Sequence, residues 1–520
     1  MPNLQIILSK TLQITTPDAD TKRVLDDLQA NIVKGHGRNH TAHLFLTFSG
    51  GNQAALSAAF KKLAKRVTSA STQAAEAIKA KNGQLSAPAF CLFLTKAGYQ
   101  ALGIAGARHP GDLAFAEGME ARGNKDLTGT AGKGRLNDPK IATWEKHLGG
   151  GAAPRKIHAM LLIADDVKLA DRKAEEAATG PARSQKRDAN NAAGKAKVNA
   201  LVNAITADLA GTPIKIEGVD LGHAYKMEVG GKDIGLENFG YMDGRSQPLF
   251  NNEDVAGEAQ ANWNATFAPS QFIVKDPGSP AAFACGSYFV FRKLEQNVSG
   301  FKKREGELAT ALKMKNTAAK PKERERAGAM LVGRFKNGAP LVLAGDAANT
   351  SVPNDFDYSG VKSAKCPFSA HIRKTNPRGD IRRQGLATTD VAERKHIMAR
   401  RGITYGVRVQ NSKGEFVGSP ASGVGLLFMA YMTNIREQFE FTQADWANKE
   451  KFVSGFPAGS EKPGIDPIIG QGTSVLTPPV LWTDNYSVAP NQSRFSFADF
   501  VRLRGGEYYF APSVSFLNSI

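Results

Sequence analysis

The sequence predicts an α+β protein made of two ferredoxin-like (split βαβ) halves, each an antiparallel sheet with helices. Three observations predict it. The chain has 520 residues, well beyond the usual domain length of about 150, so more than one domain is expected. Its 42% hydrophobic and 22% charged residues are those of an ordinary folded protein, which excludes a mainly disordered, collagenous or coiled-coil chain. An order of strand, helix and strand occurs twice in the first half and recurs in the second.

In the first half, an apolar run at 42–48 reads as a strand, an Ala/Lys pattern from Ala54 to about Lys79 as helix, and 87–95 as the next strand. The order then repeats. Residues 157–164 read as a strand, 167–209 as largely helical with a break at Gly180-Pro181, and 214–221 as a strand. The second half offers a strand at 287–294, helix within 297–335, and an extended segment near 371–375. A strand at 425–432, a helix at 435–446 and a strand at 507–512 complete it. These readings divide the chain into an N-terminal extension (1–24), a first ferredoxin-like domain (25–221), a connecting segment (222–285) and a second ferredoxin-like domain (286–520). The connecting segment is rich in Gly, Asn and Pro, as loops that present functional groups are.

Sixty-seven Lys and Arg against 49 Asp and Glu leave a net charge of +18. That surplus suits nucleic acid, anionic membrane or small anions, and charge alone does not choose among them. No nucleic-acid-binding signature or aromatic-interleaved basic stripe accompanies it, so no nucleic-acid partner is expected. The basic stretches 168–197 and 302–336 mix Lys with Glu, Asp and Ala, as solvated helix faces do. Cys91, Cys285 and Cys366 show no CxxC spacing and cannot form a disulfide framework, which fits a reducing compartment. The N-terminus lacks a basic leader, and within the longest uncharged stretch, 418–435, only 424–432 is densely apolar. A cytoplasmic protein with no membrane span is expected. The oligomeric state is left open, a homo-oligomer included.

Several motifs carry little weight. The loop 129–134 (Gly-Thr-Ala-Gly-Lys-Gly) lacks the spacing and hydroxyl of a phosphate loop, and Gly423-Val-Gly opens a strand where a dinucleotide site needs a helix. His36, His40 and His43 have metal-like spacing, but Gly37 and the following strand deny them a common face. Three later segments each concentrate residue types that one kind of site uses together. In Asn238-Phe-Gly-Tyr-Met-Asp-Gly-Arg-Ser-Gln-Pro, Gly240 and Gly244 bracket Asp243, so backbone can approach a flat ligand while the carboxylate projects. Alone, this is also an ordinary Asp-Gly turn. In Cys366-Pro-Phe-Ser-Ala-His-Ile-Arg-Lys-Thr-Asn-Pro-Arg, His371 sits among apolar residues beside Arg373, Lys374 and Arg378. That setting suits a metal ligand whose cofactor carries carboxylates, as haem does, or equally a satisfied core histidine. In Ile397-Met-Ala-Arg-Arg-Gly-Ile-Thr-Tyr-Gly, Arg400 and Arg401 form either a solvated corner or a carboxylate clamp.

Taken in order, with Gly425-Leu-Leu-Phe-Met-Ala-Tyr-Met after them, these segments resemble the dye-decolorizing peroxidase family. The segments that begin at Leu25, Gly286 and Gly505 extend the resemblance from about residue 25 to the C-terminus, nearest the long-chain members. The resemblance implies one haem b per chain in the C-terminal half. It implies His371 as proximal iron ligand, Asp243 and Arg400 as distal acid–base and charge-stabilising groups, and Leu426 and Phe428 as distal apolar residues. Arg373 is the implied propionate partner, and Arg401 a structural residue. A carboxylate should back His371, with Asp466 preferred and Glu461 close by in sequence. The implied activity is reduction of hydrogen peroxide and oxidation of dyes, phenols and other bulky aromatic donors through a ferryl intermediate. Tyr405 and Trp446 are candidate electron-transfer residues, Trp446 as a surface oxidation site. The competing expectation is a haem-binding or haem-handling protein without peroxidase turnover.

Overall fold

The computed structural model describes residues 4–123, 125, 135–258, 266–318, 322–347, 352–452, 463–471, 480–483, 486 and 492–520. Its first half contains strands β1 (His40–Phe48), β2 (Ala89–Leu94), β3 (Ala159–Asp165) and β4 (Ile214–His223). They pair antiparallel in the order β4-β1-β3-β2, the ferredoxin-like arrangement. The second half repeats it with β5 (Cys285–Gln296), β6 (Ile403–Tyr405), β7 (Gly425–Met432) and β8 (Val501–Ala511), in the order β8-β5-β7-β6. Single pairings join the two sheets at both margins, Leu94 to Phe510 and Gly222 to Tyr405, so the strands form a closed circuit.

Strand residues alternate between two faces. The inner faces of the two sheets meet through Phe93 on Phe289 and Phe45 on Phe291, with ring centroids 4.2 and 5.1 Å apart. The outer faces take helices: Leu44, Leu92 and Leu161 pack with Phe60 and Leu63 of the helix Gln53–Ala64. The outer face of β5 and β7 also borders the cavity described below. Among the described residues, no helix is long and apolar enough to cross a membrane.

The chain refines several expectations. The single helix expected at 54–79 is two, Gln53–Ala64 and Ala70–Lys81, because Ser69 caps the second by accepting the Thr72 N–H. The Gly180-Pro181 break begins the helix Gly180–Leu209, with the proline in the first turn where its missing N–H costs nothing. The helix expected at 435–446 is wound more widely: Glu440 N–H donates to Ile435 O at 3.0 Å and Asn448 N–H to Gln443 O at 2.9 Å, five residues apart. Such π turns gather at functional sites. One expectation is wrong. Residues 371–375 are not extended but form the short helix His371–Thr375, and the strand expected there is Ile403–Tyr405. Three strand residues beside Gly402 are too few to show an alternation. The glycine-rich loop 129–134 and Glu461 lie outside the described residues.

Burial leaves an acid-sensitive signature in the fold. His43 and His396 are 0% and 7% exposed, and burial holds each down to about 4 from the usual value near 6.5. Below pH 6.5 the unfolded chain therefore takes up protons that the folded chain refuses. Stability from these groups is complete above 6.5 and is lost as pH falls toward 4. At pH 4.5 each should cost about 2–3 kcal/mol relative to pH 7. Urea denaturation between pH 4.5 and 7 should show this slope, and His43→Leu should flatten it whatever that substitution does at neutral pH. An unchanged slope in the variant would contradict the assignment.

Candidate functional site

A cavity of about 1570 Å³, open mouth included, lies against the outer face of β5 and β7 in the second half. Cross-strand neighbours build one wall: Leu426 pairs with Leu294 and Phe428 with Arg292, and all four line the cavity. Leu427 and Met429, between and beyond them, turn into the inter-sheet core. Val332, Ile372, Ile468 and Ile469 add apolar surface, and Phe439, Thr442 and Gln443 come from the π-wound segment.

His371 lines this cavity from the start of its short helix. Its Nδ1 lies 2.8 Å from Asp466 Oδ2. Asp466 is fully buried, and its Oδ1 accepts the backbone N–H groups of Ile468 at 2.8 Å and Ile469 at 3.1 Å. The carboxylate is thereby fixed, and with Nδ1 engaged, Nε2 has no hydrogen-bond partner among the described residues.

Asp243 and Arg400 line the same cavity. Asp243 is carried by the GxxDG turn, in which Gly240 and Gly244 adopt φ of 85° and 79°, values that favour glycine. Its Oδ1 accepts the Gly244 N–H at 2.7 Å, so the turn also makes the local bond of an ordinary Asp-Gly corner. Arg400 lies on a short strand paired with β7 and donates from Nη2 to Arg245 O at 3.0 Å. An outer cavity of about 1050 Å³ shares Asp243, Gly244, Arg400, Leu426 and Phe428 with the inner one, but His371 does not reach it. The four residues expected to be distal thus line both cavities. Arg401 instead donates to the main-chain carbonyls of Asn31, Ile32, Val33 and Arg400, anchoring the N-terminal segment.

Three expectations need correction. Arg373 does not line the cavity. It is fully buried, donates to Asp380 at 2.6 and 3.0 Å and to the carbonyls of Cys366 and Val361 at 2.6 and 2.8 Å, and lies over the rings of Tyr358 and Phe368. Its donors are spent on protein. Trp446 is not a surface residue: at 2% exposure it stacks on Phe452, with its centroid 5.3 Å from His396. Tyr405, 8% exposed, lines neither cavity and lies in the inter-sheet core, beneath the Lys293 ammonium. Sequence reasoning assigned nothing to His396, Arg334 or Ser246, which line the inner cavity. Only Ser246, inside the Asp243 segment, carried any sequence signal.

No family model matches the chain. Individual relatives do. The chain is 38% identical over 529 residues to the multifunctional dye peroxidase DyP2 of Amycolatopsis sp. (strain ATCC 39116 / 75iv2), covering 99% of this chain and 100% of that one. It is 27% identical to Peroxidase 2 of Mycetinis scorodonius, over 99% of this chain and 91% of the relative. Among solved structures it resembles the DyP-type peroxidase of Anabaena sp. with a TM-score of 0.80 at 32% identity, covering 99% of each chain. It matches that of DyP2 with a TM-score of 0.78 at 36% identity, over 99% of this chain and 100% of that one.

The Arg373–Asp380 pair tests the geometry directly. Removing the carboxylate with Asp380→Asn leaves a buried cation and should cost about 3–5 kcal/mol of stability. The double variant Arg373→Met, Asp380→Asn should recover part of that loss in denaturant titrations. A single variant as stable as the parent would contradict the closed pair.

Proposed function

The chain belongs to the dye-decolorizing peroxidase family, and from that premise we propose that the inner cavity would hold one haem b per chain, with His371 as the protein ligand of the iron and Asp243 and Arg400 as the groups that handle peroxide. The enzyme is an oxidoreductase that uses hydrogen peroxide as electron acceptor. Its proposed donors are dyes, phenols and other bulky aromatic compounds.

The observation that carries the residue roles is the bond from His371 to the fully buried Asp466. A ring held through Nδ1 by a carboxylate is the arrangement that fixes the tautomer of a metal-binding histidine and strengthens Nε2 as a donor to metal. The rest of the cavity fits a broad, flat and largely apolar group: Leu294, Val332, Ile372, Ile468 and Ile469 offer hydrocarbon walls. When bound, haem supplies the electron exchange with peroxide and with the donor.

The chain's own residues supply the rest. The Asp243 carboxylate takes a proton from one peroxide oxygen and returns it to the other. Arg400, permanently cationic, stabilises the negative charge that develops as the oxygen–oxygen bond lengthens. Leu426 and Phe428, which line both cavities, place apolar bulk beside these two groups, which favours a molecule the size of peroxide. Larger donors then deliver electrons from outside the inner cavity. Of the two relay candidates, Trp446 keeps a ring contact to the cavity wall through His396, whereas Tyr405 has none among the described residues.

Asp243→Asn and Arg400→Leu should each retain haem, with the Soret band unchanged in intensity. Each should slow the reaction with peroxide by about 10²–10⁴-fold, the usual worth of general acid–base assistance, as read by rapid mixing of the loaded protein with peroxide. Rates equal to the parent in both variants would remove these roles.

A further inference from the structure

A polar network lies behind the wall of the inner cavity, and none of these roles uses it. Tyr508 is fully buried, and its phenol O–H donates to Glu440 Oε1 at 3.0 Å. Glu440, also fully buried, accepts Arg122 Nε and Nη2 at 2.5 Å each, and Arg122 reaches a second carboxylate, Glu117, at 2.8 Å. Beside them Arg292 donates to Asp138 at 2.5 and 2.9 Å. Phe439 joins this network to the site. It lines the inner cavity, and its ring centroid lies 6.1 Å from that of Tyr508 and 6.0 Å from that of Phe428.

Removing an electron from a phenol makes its O–H strongly acidic, so a tyrosine is oxidised readily only where a base stands within hydrogen-bond reach of that proton. Burial and the Glu440 charge hold the Tyr508 phenol well above its usual value, so no phenolate forms in advance and proton and electron must leave together. Tyr405 has no partner for its phenol oxygen among the described residues. Tyr241 is the other described tyrosine that donates to a carboxylate, Glu305, but the Lys302 ammonium lies 4.9 Å from its ring centre and bonds Glu305 at 2.9 Å. A cation there opposes the loss of an electron. Around Tyr508 the sign is reversed. Three carboxylates, Glu117, Glu440 and Asp138, face two guanidinium groups, and Lys125 balances the excess only at the solvent end, on Glu117. When Glu440 takes a proton, Arg122 keeps Glu117 as counter-ion, so no buried cation is left unpaired.

We propose that Tyr508 is a redox-active tyrosine of this enzyme, giving one electron across Phe439 to the oxidised cofactor while its phenol proton passes to Glu440. The proposal rests on the haem reading above. Peroxide supplies the oxidising equivalent: the O–H bond of Tyr508 breaks, a bond from that proton to Glu440 Oε1 forms, and the electron reduces the cofactor. One electron from an external donor, with the proton returned by Glu440, restores the phenol. Being fully buried, Tyr508 meets no bulky donor itself. It holds one oxidising equivalent inside the protein until a donor reaches the site.

The test is electron paramagnetic resonance of haem-loaded protein, mixed with an equimolar amount of peroxide in the absence of donor and frozen at successive short times. Wild type should give a tyrosyl signal that narrows when the protein carries ring-deuterated tyrosine. Tyr508→Phe, which removes only the hydroxyl, should bind haem with an unchanged Soret band yet lose that signal, and Tyr241→Phe should keep it. Glu440→Gln still accepts a hydrogen bond but takes no proton, so its signal should appear at least about 10²-fold more slowly. A haem-loaded wild type that consumes peroxide without a tyrosyl signal, or a signal that survives in Tyr508→Phe, would overturn the proposal while leaving the haem reading intact. Failure of the wild type to bind haem would overturn the haem reading and the proposal with it.

Discussion

The site is organised around one buried carboxylate. Asp466 is fully inaccessible to solvent, and each of its polar groups is spoken for. Oδ1 takes the Ile468 and Ile469 N–H groups, and Oδ2 faces His371 Nδ1. Its backbone N–H reaches Ala447 O at 2.8 Å, and its carbonyl accepts the Gly470 N–H at 3.0 Å. A side chain at position 470 would bring its Cβ within 2.4 Å of that carbonyl, so the loop closes this tightly only with glycine there. His371 needs such support. It begins a helix of five residues without a side-chain cap, far shorter than the roughly 12–15 residues at which an isolated helix becomes even marginally stable. The position of the imidazole is therefore set by its partner and by packing more than by its own helix.

The closed circuit of strands provides the complementary rigidity. Because side chains alternate along β7, the strand that delivers Leu427 and Met429 to the inter-sheet core must present Leu426 and Phe428 to the cavity. Pairing with β5 and with the Ala399–Arg400 strand ties Arg400 to the same frame. One side of the site thus rests on a sheet whose register the core fixes, and the other on short helices and loops fixed by buried polar bonds. The extended donor network of Arg401 does the same for the N-terminal segment, joining residues 31–33 to the arginine next to Arg400.

Much of this was legible in the chain because it rests on short-range pattern. Strand 425–432 is apolar throughout and bounded by glycine, and its limits agree with Gly425–Met432. The motif segments around Asp243, His371 and Arg400 do converge on one cavity. What the sequence concealed was partner choice. Arg373 and Arg378 are both arginines in the same segment, and only the fold reveals that Asp380 closes one while the other opens on the cavity. Trp446 ends a polar-looking segment, yet the π winding and Phe452 bury it. His371–Thr375 looked extended because a five-residue helix between prolines leaves no periodicity to read. Ile403–Tyr405 was missed for the same reason.

The central claim is that His371, held by Asp466, is the protein ligand of the haem iron. The most direct measurement is the absorption and electron paramagnetic resonance spectrum of haem-loaded His371→Ala, recorded with and without added imidazole. The account predicts that the histidine-ligated spectrum is lost in the variant and returns when imidazole fills the space left by the side chain. A variant whose spectrum matches wild type without imidazole would contradict it.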